Sequence, residues 1–246
     1  MNSPMLAVEG LCAWYSAAQI LFDISLTVGR GEVVALMGRN GAGKTTILRT
    51  LMGMMGRRSG TVKFRGRDIS GLPSFRIARL GIGWVPEDRR IFTDLTVMEN
   101  LDIGRQPPRR LDSGGGDGTA AAPWTPERLF GLFPNLGEMR GRPGGRMSGG
   151  EQQMLTVART LMGNPLLLLL DEPSEGVAPL IVEQMANTIT ELKKQGLSIL
   201  LSEQNLHFAE LVSDRAYLLE KGRIAWQGAM RELAGSEDAQ RTFLTL

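Results

Sequence analysis

The residues Gly38-Arg39-Asn40-Gly41-Ala42-Gly43-Lys44-Thr45 have the spacing G-x-x-x-x-G-K-[ST] and follow the apolar run Val33 to Met37. Such a stretch can wrap phosphate. Its glycines let the backbone fold tightly around phosphate oxygens and turn N–H groups toward them, and the N-terminus of the next helix adds positive potential. Lys44 brings a point charge and the Thr45 hydroxyl a ligand for Mg²⁺. Thr46 joins them as a nucleotide-binding position at the helix start. The alternative is a glycine-rich turn entering an ordinary helix. A strand running straight into the loop, with Ile47 to Met52 continuing helically, favours phosphate.

Two more stretches carry possible chemistry. Leu166 to Leu170 is a continuous apolar run ending in Asp171 and Glu172. It reads as a central parallel strand buried on both faces. Asp171 is then positioned to hold Mg²⁺ with Thr45, and Glu172 to orient or deprotonate an attacking water. A leucine run with trailing acids is a weak signal alone and gains weight from the phosphate loop. Ser148-Gly149-Gly150-Glu151 has the spacing of a capping box that opens a helix to about Met162. Two glycines inside a helix start cost about 1 kcal/mol each relative to alanine, so bare backbone there points to a close anion at the helix N-terminus.

The elements that must position these groups follow from periodicity. Leu6 to Gly10 and Ile20 to Val28 alternate as half-buried antiparallel strands, with Trp14 and Tyr15 between them as core or turn aromatics, or as a face on which adenine stacks. Thr61 to Gly66 reads as a strand and turn, Pro73 to Leu80 as a short helix with Pro in its first turn, and Ile82 to Val85 as a strand ending at Pro86-Glu87-Asp88. Thr96 to Ile103 is a helix. Arg105 to Pro126, rich in Pro, Gly and Ala, reads as a flexible insertion, after which helical periodicity resumes at Glu127 to Phe133. Pro179 to Gln195 is an amphipathic helix, Leu197 to Ser202 a core strand, and Arg215 to Glu220 with Arg223 to Gln227 a hairpin.

With 246 residues the chain suits one large domain. Net charge +2 and sequence pI 8.9 are mildly basic. The arginine pairs are scattered without interleaved aromatics, which argues against nucleic acid. One cysteine, Cys12, and one histidine, His207, leave no cluster for zinc and fit a reducing compartment. Met1 to Pro4 lacks the pattern of a secretory signal, and the longest apolar run falls far short of the roughly twenty residues that span a bilayer. Work at a membrane would need other subunits.

Gly38 to Thr45, Ser148 to Glu151 and Leu166 to Glu172, in that order and spacing, resemble the ATP-binding subunit of ABC transporters across nearly the whole chain. Pro86 to Arg90, Asp171 to Gly176 and Ser202-Glu203-Gln204-Asn205 are most similar to the branched-chain amino-acid importer subfamily, its LivF-type ATPase, with urea and short-amide importers close by. The resemblance implies one α/β P-loop domain over residues 1–246, with a mainly parallel core sheet, an N-terminal antiparallel β subdomain and an inserted helical subdomain at about 88–162. It implies ATP and Mg²⁺ as ligands, Tyr15 as the adenine-stacking aromatic, Asp171 as the magnesium-linked acid, Glu172 as the base, and Ser148 to Glu151 as a signature that closes on a partner's ATP. Glu87 stands where most relatives have Gln, and Gln204 where most have a switch His.

Because loop and signature face outward in the family, two subunits should sandwich two ATPs head to tail, as a homodimer or, as the subfamily suggests, a heterodimer. The implied partners are transmembrane permease subunits, a second ABC ATPase and, indirectly, a periplasmic solute-binding protein, at the cytoplasmic face of the inner membrane. A soluble ABC ATPase acting on ribosomes or DNA would call for tandem units or a long coiled-coil insertion, and the sequence has neither. A non-hydrolysing nucleotide-gated module is suggested by Glu87 and Gln204 and opposed by Lys44, Asp171 and Glu172.

Overall fold

A computed structural model describes residues 3–107 and 122–235. Its strands, in chain order, are β1 (Leu6–Tyr15), β2 (Ala18–Val28), β3 (Val33–Met37), β4 (Arg57–Phe64), β5 (Arg67–Asp68), β6 (Ile82–Val85), β7 (Leu167–Asp171), β8 (Ser198–Glu203), β9 (Arg215–Glu220) and β10 (Arg223–Ala229). Its helices are α1 (Lys44–Leu51), α2 (Ser74–Leu80), α3 (Val97–Gly104), α4 (Pro126–Leu132), α5 (Pro134–Glu138), α6 (Gly149–Leu161), α7 (Pro179–Lys194), α8 (Leu206–Val212) and α9 (Met230–Ala234).

The strands form two sheets. One is antiparallel, in the order β2-β1-β4-β5, and the other runs β10-β9-β3-β8-β7-β6. In the second, β3, β6, β7, β8 and β9 are parallel, and only the edge strand β10 runs against its neighbour. The leucine run shows why β7 lies inside: Leu167 and Leu169 enter the core shared with the antiparallel sheet and α1, while Leu168 and Leu170 enter the core under α6 and α7. A strand buried on both faces has no polar side to alternate. The carboxyl ends of β3, β7 and β8 therefore emerge side by side, where a ligand binds in an open parallel sheet. This is the α/β P-loop fold that the motifs imply.

Several boundaries differ from the sequence reading. β1 runs on through Trp14 and Tyr15, which therefore belong to a strand, because it pairs on both edges, with β2 and with β4. Gly10, at φ 61°, sits at a register shift that hides this continuity in the sequence. β4 starts at Arg57, whose guanidinium lies 4.7 Å from the Trp14 ring centre, so cross-strand stacking overrides a poor strand sequence. Pro73 caps α2 in an extended conformation instead of sitting in its first turn.

Most of the expected insertion, 108–121, lies outside the described residues. Its flanks correct the picture of a wholly flexible segment. Asn164 donates to Gln106 O at 2.7 Å and accepts from Trp124 N at 2.8 Å, so one side chain ties both ends together. Pro126 is already the first residue of α4.

Candidate active site

Between β3 and α1 the loop turns through glycine conformations that other residues adopt only with strain. Gly38 has φ 149° and Gly43 φ 111°. A Cβ at Gly38 would lie 2.5 Å from Leu219 O, so β9 leaves no room for a side chain there. Gly43 is the N-cap of α1. The helix that follows presents Lys44, Thr45 and Thr46 at its first turn to a cavity of about 390 Å³, lined also by Asn40, Gly41, Gly43, Ile20, Glu87, Glu172 and Glu175. Arg39 and Ala42 line the outer side of the loop, against Leu219 to Lys221.

Lys44 is folded back into the loop it belongs to and is only 3% exposed. Its Nζ donates to Gly38 O at 2.7 Å and Arg39 O at 3.3 Å, and stands 3.0 Å from Glu172 Oε1. Two loop carbonyls and one carboxylate thus enclose the ammonium. Beside it the Thr45 hydroxyl donates to Asp171 Oδ1 at 3.0 Å. Asp171 is 1% exposed, and its Oδ2 has no hydrogen-bond partner; the neighbouring Ser202 hydroxyl lies beside it but out of hydrogen-bond geometry. Burial pushes the Asp171 carboxyl up to about 6, the nearby Glu172 and Glu87 charges add to this, and the Thr45 bond opposes it. An orphaned carboxylate oxygen next to a threonine hydroxyl and a phosphate loop is a donor set that fits Mg²⁺, which takes one or two protein oxygens and completes its shell from phosphate and water.

Glu172 follows directly, with φ 47°, a left-handed backbone that costs a non-glycine residue about 1–2 kcal/mol. Its N–H donates to Ser202 O at 2.9 Å. Burial works against its charge, yet hydrogen bonds from Glu175 and Lys44 and the Lys44 charge outweigh it and hold the carboxyl below its ordinary value. Glu175 supplies the shared proton. Its hydrogen bond to Glu172, then burial and the charges of Glu172, Glu87 and Glu203, lift it to about 7.

The phosphate loop, Asp171, Glu172 and Glu87 are thus brought together. Tyr15 is not among the cavity's lining: it is 44% exposed, and Arg49 of α1 donates to its hydroxyl at 3.3 Å. Gln204 is half-buried just past β8, and His207 is exposed on α8. Ser148 and Glu151 form the reciprocal capping box, with Ser148 N donating to Glu151 Oε2 at 2.7 Å and Glu151 N to Ser148 Oγ at 3.4 Å. They too stand apart from the phosphate cavity's lining.

The glycines of that turn also have close neighbours within the chain. A Cβ on Gly150 would come 2.7 Å from Ile181 Cγ1 of α7, and one on Gly149 would come 2.8 Å from an Arg89 guanidinium nitrogen. The Ile181 branch leaves little room for a side chain at Gly150, whereas the Arg89 tip near Gly149 can swing aside. Sequence reasoning gave no role to Ile20, Glu175 or Glu203. Glu175 lies three residues past Glu172, a cue in spacing alone, whereas the burial of Glu203 has no local signal.

The profile of the family described as ABC transporter matches residues 21–175. The chain is 44% identical over 220 residues to the high-affinity branched-chain amino acid transport ATP-binding protein BraG of Pseudomonas aeruginosa, covering 89% of this chain and 91% of that one. It is 34% identical to the lipopolysaccharide export system ATP-binding protein LptB of Haemophilus influenzae, over 98% and 97% of the two chains. A solved ATP binding subunit of an ABC transporter superposes with a TM-score of 0.77 at 28% identity, over 97% of this chain and 92% of that one. Carrying the phosphate loop and acid pair in that shared frame, the chain belongs to the ABC transporter family as one of its ATP-binding, ATP-hydrolysing subunits.

Proposed function

We propose that the chain energises an importer of branched-chain amino acids or related small polar solutes. The observation that carries this reading is the 44% identity to BraG along 89% of the chain, against 34% to an export-system relative. In this reading the loop N–H groups and Lys44 bind the ATP phosphates, and Thr45 and Asp171 hold Mg²⁺, which neutralises charge on the terminal phosphates. Glu172 accepts the proton of the attacking water, Gln204 holds that water or the terminal phosphate by hydrogen bonding without titrating, and Glu87 lines the same space. Tyr15 stacks on adenine at the exposed side of α1.

Ser148 to Glu151 do not line the phosphate cavity of their own chain. That separation supports a head-to-tail dimer with a second ABC ATPase subunit, in which the signature meets the partner's ATP. ATP's preference for the closed pair would drive a permease between conformations, and hydrolysis would reopen it. No helix among the described residues is long and apolar enough to cross a membrane, so the coupling needs transmembrane permease subunits. A groove of about 490 Å³ between α2, β6, α3 and α6 exposes Phe75, Phe92 and Ile103 away from the phosphates and supports such a contact. The working position is the cytoplasmic face of the inner membrane, with a periplasmic solute-binding protein acting indirectly.

Glu172→Gln keeps the side chain's shape and loses the base. In the assembled transporter it should bind ATP, accumulate as an ATP-bound dimer and turn over at least 100-fold more slowly, on the order of what a general base contributes. Rapid turnover in this variant would remove Glu172 from the role. Stimulation of the wild-type complex's ATPase by binding protein loaded with leucine, but not by protein loaded with urea, would support the branched-chain assignment; the reverse would refute it.

A further inference from the structure

The last residue of β8, Glu203, is a carboxylate only 2% exposed, with no cation in contact with it among the described residues. Its partners are backbone N–H groups from two different loops. Oε1 accepts from Ser174 N at 3.1 Å, and Oε2 accepts from Gln204 N and Asn205 N, both at 3.1 Å. Ser174 lies two residues past Glu172, in the loop leaving β7, whereas Gln204 and Asn205 form the corner leaving β8. A single buried side chain therefore joins the two segments that carry the proposed base and the proposed water-holding amide.

That junction acts on a backbone that needs holding. Glu172 is in the left-handed region at φ 47°, a conformation that persists only where its surroundings over-determine it. Upstream, Glu172 N donates to Ser202 O at 2.9 Å. Downstream, Ser174 N is fixed by Glu203, and Glu175 N closes a turn on Glu172 O at 3.1 Å. Both anchors outside the turn belong to consecutive residues of β8, Ser202 and Glu203. Burying a charge without a cation is costly unless several donors satisfy it, and a leucine there would pack with less cost. What leucine cannot do is bind two loops at once.

We infer that Glu203 is a positioning residue for ATP hydrolysis: by accepting hydrogen bonds from Ser174, Gln204 and Asn205 it fixes the loop that carries Glu172 against the corner that carries Gln204. This rests on the proposed roles of Glu172 and Gln204. Glu203 is not among the residues lining the phosphate cavity, so its loss should leave nucleotide binding intact and displace the reacting groups.

The test is Glu203→Gln in the full chain assembled with its permease partners. The amide has nearly the same shape but only one acceptor oxygen, so either Ser174 N or the Gln204 and Asn205 pair faces an NH₂ group. The expected result is a fall in kcat of about 10- to 100-fold, the range that follows from a displacement on the order of 1 Å at a reacting group. ATP affinity and KM should stay within about two-fold, because the phosphate loop is untouched. Added to Gln204→Ala, Glu203→Gln should lower turnover less than the product of the two single effects. Unchanged kcat overturns the proposal, as does a loss of ATP affinity equal to the loss of turnover, which would mark a merely structural role. If Glu203→Gln does not fold, Glu203→Asp keeps the charge but shortens the reach, and full kcat in that variant equally overturns it. If Glu172→Gln itself hydrolyses ATP rapidly, the underlying assignment fails; if Glu172→Gln is slow while Glu203→Gln is fast, only the positioning role fails.

Discussion

Asp171→Asn should make the empty protein more stable while abolishing its ATPase. Folding lifts the Asp171 carboxyl from 3.8 to about 6, chiefly by burial. Above both values the side chain is charged in the folded and the unfolded chain alike, and at about 1.4 kcal/mol for each pH unit the folded state carries a penalty of about 3 kcal/mol. The penalty is absent below about pH 4 and grows as the pH rises through about 6, because folding favours the protonated acid. Asparagine removes the charge, keeps an oxygen for the Thr45 hydroxyl, and turns an NH₂ toward the unpartnered Ser202 hydroxyl across β7 and β8. Allowing for the amide's own burial, we expect a gain of about 2 kcal/mol at pH 8, or about 4–8 °C in Tm for a domain of this size. At pH 5 the wild-type acid is mostly protonated when folded, so only about a third of the gain should remain. Thermal unfolding in EDTA without nucleotide, at both pH values, measures this. An unchanged or lower Tm at pH 8, or an equal gain at both, would refute the reasoning.

Three more outcomes follow from the contacts. Lys44→Ala should weaken ATP binding about 100-fold by calorimetry, since it removes a charge-assisted phosphate contact, and it should also lower Tm because it leaves Glu172 buried without its cation, at a cost of about 3 kcal/mol. Asn164→Ala should destabilise by about 2 kcal/mol in urea titration, as it frees both ends of the 108–121 segment, whereas replacing Gly114 to Gly118 with a short linker should leave ATPase activity within about two-fold. Gln204→Ala should cut steady-state turnover at least ten-fold, in keeping with a lost water-orienting group, while His207→Ala, exposed on α8, should leave it unchanged; the reverse result would show that His207 reaches the site.

What the sequence discloses about this site is what local spacing can encode. The turn from Gly38 to Thr45 must bind its own neighbours, so eight residues carry most of its geometry, and the leucines of β7 report burial on both faces without any partner in view. Contacts between distant segments leave no such trace. The path of β1 through Trp14 depends on Arg57 stacking from β4, and the tight fit at Gly150 depends on Ile181 of α7. Glu203 sits in a stretch already quoted as family-like, yet its three backbone partners come from two loops that meet only when β7 and β8 pair.

Those partners divide the restraints on Glu172 into two kinds. Its side chain is held by Lys44 and by the proton shared with Glu175, while its backbone is held by Ser202 O and, through Ser174, by Glu203. ATP competes for only the first. The Lys44 ammonium is enclosed by two loop carbonyls and Glu172, and the only charged contact among them is Glu172. An arriving polyphosphate is drawn to the ammonium and repels the carboxylate, and inside a cavity of lowered dielectric both effects exceed their strength in water. The two carbonyls belong to the loop that must keep its shape to bind phosphate, so the Glu172 contact is the one that yields. In the proposed reading, nucleotide binding would loosen the Glu172 side chain from the lysine, leave its contact with Glu175, and leave its backbone where β8 holds it. Such a movement would be a rotation about the side-chain bonds of a single residue and would need no rearrangement of the sheet beneath it.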